Sequence, residues 1–173
     1  MERGEGPTGR TTPRILSVRT APRSSEEEVS SRAGDWLVVR TSWLYGHRGP
    51  NFVETILRLS EEGGPLRVVN DQTGSPTNAR DLSRLVLELV AAGARGVVNA
   101  ANAGSCTWFE FAREILFRSG RGDVQVKPVT TAEFPRPAPR PVYSVLSLER
   151  LREITGKTPR PWQEALTEYV AER

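Results

Sequence analysis

Two short stretches of the chain carry side chains suited to holding a small polar ligand. Arg40-Thr41-Ser42-Trp43-Leu44-Tyr45-Gly46 brings hydroxyls, two aromatics and a turn glycine together. Its hydroxyls can exchange hydrogen bonds with a hydroxylated ligand, and a tryptophan face can stack on a sugar or a base. Taken alone, Trp43 reads as packing before it reads as ligand contact, because an aromatic is first a large hydrophobic group. Asn70-Asp71-Gln72-Thr73-Gly74-Ser75-Pro76-Thr77 is the second stretch. Its short donors and acceptors could orient a ligand, although turns use the same residue types. Both stretches leave apolar runs of strand character, and ligands of open α/β sheets bind beyond the carboxyl ends of strands. The tandem favours a site over two unrelated turns.

Other chemistry is poorly supplied. Gly4-Glu5-Gly6-Pro7-Thr8-Gly9 matches the spacing of a dinucleotide-binding loop, but only Met1 to Arg3 precede it and Pro13 would interrupt the helix that must follow. Ser42 and His47 are too isolated for a hydrolase pair, no G-x-S-x-G elbow exists, and His47 reads as a surface loop residue. Cys106 stands near a helix start but reads as a small buried hydrophobe. One cysteine and one histidine leave neither an internal disulfide nor a Cys/His zinc cluster. The only lysines are Lys127 and Lys157, so lysine-dependent chemistry has two candidates.

The elements that position these residues follow from periodicity. Residues 36–40 form a β-branched apolar run that predicts a buried strand. Asn51 can cap a helix with Phe52, Ile56 and Leu59 on one face, ended by Gly63-Gly64. Residues 66–69 predict a strand, and Leu82, Leu85, Val86, Leu89 and Val90 mark an amphipathic helix ending near Gly93. A strand over 96–100 follows. Thr107 with Glu110 forms a capping box for a helix carrying Trp108, Ala112, Ile115 and Leu116. Residues 124–129 read as a strand, and the proline-rich 130–142 as an extended loop. Ser147 caps a short helix to about Ile154, and Pro161 opens a last helix with Trp162, Ala165, Leu166, Tyr169 and Val170 inward. The alternation predicts an α/β architecture with parallel pairing.

Residues 1–30 are rich in Gly, Pro, Ser, Thr, Arg and Glu, with only 15–18 buriable and a brief helical turn available at Ser24 to Glu28, and read as a poorly ordered or non-native lead. Overall the 173 residues are 37% hydrophobic and 26% charged, an ordinary globular composition. No apolar run is long enough for a membrane span and no secretory core is present, so the expected location is the cytoplasm and no membrane partner is expected. The net charge of +3 comes from 24 basic and 21 acidic residues scattered without a stripe, which argues against nucleic acid as a partner.

In order and spacing, Arg40 to Gly46, Asn51-Phe52, Asp71-Gln72-x-Gly74-x-Pro76-Thr77, Trp108-x2-Phe111-Ala112 and Arg140-Pro141-x2-Ser144-x-Leu146 resemble the C-terminal half of the dTDP-4-dehydrorhamnose reductases. These are extended short-chain dehydrogenases/reductases that use NADPH to reduce the 4-keto group of dTDP-4-dehydro-L-rhamnose. The resemblance runs from Trp36 to the C-terminus. It implies an α/β chain that forms the C-terminal part of an NAD(P)-binding Rossmann-like fold without most of the N-terminal portion, residues 36–173 being its sugar-nucleotide-binding half. It implies substrate contacts from Ser42 and Trp43 near the sugar and nicotinamide, Asn51 near the nucleotide, and Gln72, Thr77 and Arg140 completing the pocket. An arginine suits a diphosphate, although Arg140 could equally bond backbone carbonyls. The family's Gly-rich NADPH loop and its Tyr-x3-Lys pair, whose lysine lowers the tyrosine pKa, have no counterpart in this sequence. The expectation is a truncated or frame-shifted product, or one with its start placed too late, inactive by itself and completed by a separate N-terminal half. On that reading this fragment is not expected to bind NADPH tightly. The alternative is a non-catalytic sugar-nucleotide-binding or regulatory module, similar in role to the reductase-like regulatory subunit of methionine adenosyltransferase.

Overall fold

The computed structural model describes residues 14–15, 31, 35–134 and 140–173. Strand β2 (Trp36–Arg40) is apolar along its middle because it is paired on both sides. It runs parallel to β1 (Arg14–Ile15) and to β7 (Gly96–Asn99), with Arg14 opposite Trp36 and Val39 opposite Val98. Helices α2 (Ala79–Ala91) and α4 (Glu149–Thr155) cover this sheet. Leu37, Val39 and Val98 pack with Leu82, Leu89 and Leu151 in one apolar cluster.

A second cluster lies around the parallel pair β4 (Leu66–Val69) and β9 (Val126–Val129). Onto it pack α1 (Phe52–Glu62), α3 (Trp108–Arg118) and α5 (Trp162–Ala171). Val53, Leu57, Phe111, Ile115, Leu116, Leu166 and Tyr169 are among its large, fully buried members. Each such large apolar side chain contributes about 1.5–3 kcal/mol relative to exposure.

Between the clusters lies a polar seam. Asn78 caps α2 through a 2.8 Å bond from Arg80 N–H to its Oδ1, and its own N–H donates to Asn102 Oδ1 at 2.8 Å. Asn102 Nδ2 and Arg160 Nε both donate to Asp81 Oδ2 at 2.7 Å, and Arg160 also pairs with Glu168 on α5. Asp81 and Asn102 are buried, so these bonds satisfy groups that would otherwise destabilise the interior.

Several boundaries differ from the sequence reading for local reasons. The inward face of α1 is Val53, Ile56 and Leu57, while Phe52 and Leu59 line a cleft beside it. Residues 70–77 contain two short strands, β5 (Thr73–Gly74) and β6 (Thr77–Asn78), and are largely buried. The last strand begins at Val126, after a turn in which Val124 N–H donates to Arg121 C=O at 3.1 Å. The segment 130–142 is not extended throughout, since Thr131–Glu133 forms a 3-10 turn held by Glu133 Oε2 accepting from Thr130 N–H at 2.9 Å. Ser147 is not the N-cap of α4: Leu148 occupies that position, and Ser147 Oγ lies 3.4 Å from Glu149 N. Pro161 sits one residue before α5, as its N-cap. Of the lead, β1 pairs with β2, whereas the Gly4 to Gly9 spacing and the Ser24 to Glu28 turn lie outside the described residues.

Candidate functional site

Three loops converge after β2, β4 and β7. In the first, Trp43 adopts φ of 45°, the one positive value outside glycine among the described residues. That conformation costs a non-glycine residue about 1–2 kcal/mol and needs outside support. Thr77 N–H donates to Trp43 C=O at 3.1 Å, and Ser42 Oγ donates to Ser75 C=O at 2.9 Å. Strand β3 (Leu44–Tyr45) then runs parallel to β6, fixing the first loop against the second. The third loop ends in β8 (Cys106–Thr107), antiparallel to β5. Thr107 caps α3 in a full capping box with Glu110, and its hydroxyl donates to Asn70 Oδ1 at 2.8 Å. Trp108, the first residue of α3, stacks on Trp43 with ring centroids 3.5 Å apart and planes inclined by 10°.

Trp108 also lines a cleft of about 290 Å³ between α1, β4 and the segment after β9. Phe52, Leu59 and Phe134 give it apolar walls, and Gln72, Arg67 and Arg140 give it polar ones. Gln72 is buried and donates from Nε2 to Thr131 Oγ1 at 2.9 Å. Asp71 accepts from Thr131 N–H at 2.9 Å and from its hydroxyl at 2.6 Å. These bonds hold the Asp71 carboxyl below its usual pKa and tie the 3-10 turn, which leads into Phe134, to the second loop. Arg67 pairs with Glu133 at 2.9 Å, whereas Arg140 has no carboxylate partner among the described residues. Val142 and Ser144 fasten the far side: Thr73 N–H donates to Val142 C=O, and Ser144 N–H to Thr73 C=O, each at 2.8 Å.

The six residues picked out from the sequence thus separate into three groups. Gln72 and Arg140 line one cleft. Ser42, Trp43 and Thr77 brace one another and reach that cleft through the Trp43–Trp108 stack; Thr77 is fully buried, with its hydroxyl directed to Ser75 C=O at 3.4 Å. Asn51 lies outside the lining, and both ends of its side chain serve the fold, Oδ1 accepting from Glu54 N–H at 3.1 Å and Nδ2 donating to Gly46 C=O at 2.9 Å. Sequence reasoning missed Arg67, Phe134 and the cleft role of Trp108. An arginine flanked by apolar strand residues, as Arg67 is in β4, was the available signal.

Proton chemistry finds no support in these residues. Burial pushes the Tyr45 hydroxyl up, and burial together with a 2.7 Å bond to Glu54 pushes Tyr169 up to about 12, the opposite of an activated donor. No lysine bonds to any of the three tyrosines among the described residues; Lys157 pairs with Glu88 at 2.8 Å. No tyrosine–lysine pair is therefore formed among the described residues. Cys106 is buried and its thiol is pushed up by burial and by Glu110 and Glu114. His47 is exposed, stacks on Tyr169 at 4.3 Å and lies 3.3 Å from Glu172. No group of three or more potential metal ligands occurs among the described residues, and no helix there is long and apolar enough to cross a membrane.

Comparison with known proteins shows the family to which the chain belongs. The spore coat polysaccharide biosynthesis protein SpsK of Bacillus subtilis is 46% identical over 151 residues, covering 87% of this chain and 52% of that protein. The dTDP-4-dehydrorhamnose reductase of Mycobacterium tuberculosis is 42% identical over 168 residues, covering 95% of this chain and 55% of its own length. Among solved structures, dTDP-4-dehydrorhamnose reductase from Bacillus anthracis in complex with NADP superposes with a TM-score of 0.81 at 39% identity, covering 87% of this chain and 52% of that one. The chain therefore spans about half the length of the relatives it matches, and its fold is that of the Rossmann-like extended short-chain dehydrogenases/reductases over that half. The family match begins at residue 8, well before Trp36, and so reaches into the lead that the sequence reading set apart. Matching over residues 8–173, the chain belongs to the RmlD substrate binding domain family.

Proposed function

We propose that this chain is the sugar-nucleotide-binding half of an NADPH-dependent dTDP-4-dehydrorhamnose reductase, the enzyme that converts dTDP-4-dehydro-L-rhamnose to dTDP-L-rhamnose. The observation that carries this reading is the cleft in which Gln72 and Arg140, from motifs far apart in sequence, meet within the span of the family match. Its aromatic walls suit a nucleobase and Arg140 suits the diphosphate through charge-assisted hydrogen bonds. The Ser42–Trp43 loop borders the sugar end, with Thr77 behind it holding the backbone, and Asn51 acts indirectly by capping the helix that brings Phe52 to the cleft.

Binding and orientation are this chain's contribution. NADPH supplies a hydride in the whole enzyme, and the proton donor and cofactor loop come from a complementing N-terminal half. The raised tyrosine pKa values and the missing tyrosine–lysine contact favour a chain that binds without reducing. The same observation suits the second reading, a regulatory module of the same family.

Two measurements on the purified chain test the proposal. NMR titration with dTDP and dTDP-L-rhamnose should give saturable shifts with Kd of roughly 0.1–1 mM, because the cleft is small and its loops must be ordered on binding. Incubation with dTDP-4-dehydrorhamnose should leave NADPH unoxidised. Substrate-dependent oxidation at the rate of a full-length enzyme would refute the binding-only assignment, and absence of any shift would refute the site. Restored oxidation on adding an N-terminal fragment from a full-length relative would separate the first reading from the second.

A further inference from the structure

The indole of Trp43 is held on both faces. Trp108 covers one at 3.5 Å. At Gly74, a Cβ would lie 2.3 Å from Cε2 of that ring, 2.5 Å from Nε1 and 2.6 Å from Cζ2. Closest approach to the middle of these three bonded atoms places Gly74 above the plane of the ring, at its Nε1–Cζ2 edge. Trp108 already fills one face, so the Gly74 backbone lies against the other. Gly74 is not among the glycines with positive φ, so glycine serves here for space and not for conformation. Ordinary carbon contacts lie at about 3.5–4.0 Å, and any side chain at position 74 would drive the ring out of its slot by more than about 1 Å.

This clamp leaves the rim of the indole. Nε1–H of Trp43 makes no hydrogen bond among the described residues, and it is not one of the sealed polar atoms, unlike Nε1 of Trp162. We infer that Gly74 is the positioning residue of this site, clamping Trp43 against Trp108 so that Trp43 meets the ligand edge-on, donating from Nε1–H to a sugar oxygen. The stacking of Trp43 on a sugar ring, expected from its residue type, is replaced by an interaction through its edge. The inference rests on the sugar-nucleotide reading above for its ligand, but not for the clamp.

The clamp is tested without ligand. Two indoles in contact couple excitonically and give a paired far-ultraviolet circular dichroism band. Gly74→Ala should abolish that couplet while the helical signal remains, and should lower Tm when Trp43 is present. In a Trp43→Ala background, Gly74→Ala should leave Tm unchanged. A Gly74→Ala chain that does not fold while Trp43→Ala/Gly74→Ala does would support the clamp equally. Survival of the couplet in Gly74→Ala, equal losses of Tm in both backgrounds, or failure of the double variant to fold would overturn it. The contact is tested by the indole N–H resonance of Trp43, assigned through Trp43→Phe. It should move on titration with dTDP-L-rhamnose and hold still with dTDP, and Trp43→Phe should bind the sugar nucleotide about fivefold more weakly while binding dTDP unchanged. A motionless indole resonance amid other shifts would overturn the edge-on contact alone. No shift anywhere, with the couplet behaving as stated, would overturn that contact together with the sugar-nucleotide reading and leave the clamp standing.

Discussion

Two arginines line the cleft, and their surroundings predict unequal roles. Arg67 is already neutralised by Glu133 at 2.9 Å, whereas Arg140 meets no carboxylate among the described residues. A diphosphate entering the cleft therefore finds Arg140 available and must compete with Glu133 for Arg67. A charge-assisted hydrogen bond contributes about 1.5–3 kcal/mol, and exposure of Arg140 to solvent brings this toward about 1–2 kcal/mol. Arg140→Ala should accordingly weaken dTDP by about 5- to 30-fold and thymidine, which has no diphosphate, by less than about twofold. Arg67→Ala should cost dTDP no more than about twofold. Glu133→Gln should free Arg67 and remove a repelling charge, tightening dTDP by about two- to fivefold, and that gain should shrink with added salt. Titrations of dTDP and thymidine against the four proteins at low and high ionic strength, followed by NMR shifts, measure all of this. Equal losses for dTDP and thymidine in Arg140→Ala would mean a damaged fold and not a lost phosphate contact. A larger effect from Arg67 than from Arg140 would refute the argument from pairing.

Asp81→Ala leaves Asn102 and Arg160 without their shared acceptor and should destabilise the chain by about 3 kcal/mol in urea unfolding; a loss under about 1 kcal/mol would show that water replaces the carboxylate. Carboxyls that hydrogen bonds hold below their ordinary pKa favour the folded state when ionised: Asp71 by Thr131, Glu133 by the Thr130 N–H, and Glu168 by Arg160 and Arg80. Their contribution is present above about pH 4.5 and is lost as pH falls through the depressed values, so the urea midpoint should be flat from neutrality to about pH 5 and drop below it. Asp71→Asn should soften the drop. Cys106 should resist thiol-specific reagents in the native chain and react at once in denaturant, since burial and two nearby glutamates oppose the thiolate; rapid labelling of the native chain would contradict its placement.

What the sequence revealed depended on how local each signal was. The capping box of Thr107 and Glu110, the cap at Asn51 and the β-branched run from Trp36 involve neighbours along the chain, and each was legible. The cleft was not, because its walls come from segments that only tertiary packing brings together. Phe52 and Leu59 share the spacing of core residues, and nothing in that spacing tells a core from a cleft wall. The polar residues of 70–77 suited a ligand site and a turn alike, and their types carry no signal of burial, yet Ser75 and Thr77 are buried, each with its hydroxyl bonded to a backbone carbonyl. Gly74 is the sharpest case: its importance comes from the ring opposite it, contributed by a residue in another loop.

The polar seam has a consequence for how the chain breathes. One apolar cluster belongs to the sheet with α2 and α4, the other to α1, α3 and α5. Hydrogen bonds depend steeply on distance and angle, so a seam made of them separates over a small displacement, while interdigitated apolar side chains must part much further. Amide exchange should therefore resolve two cooperative opening units, with the boundary at Asn78 and Arg160. A ligand in the cleft, touching α1, β4 and the start of α3, would slow exchange in its own unit, and any slowing in the β2–β7 sheet would measure how much strain Asp81, Asn102 and Arg160 transmit between them.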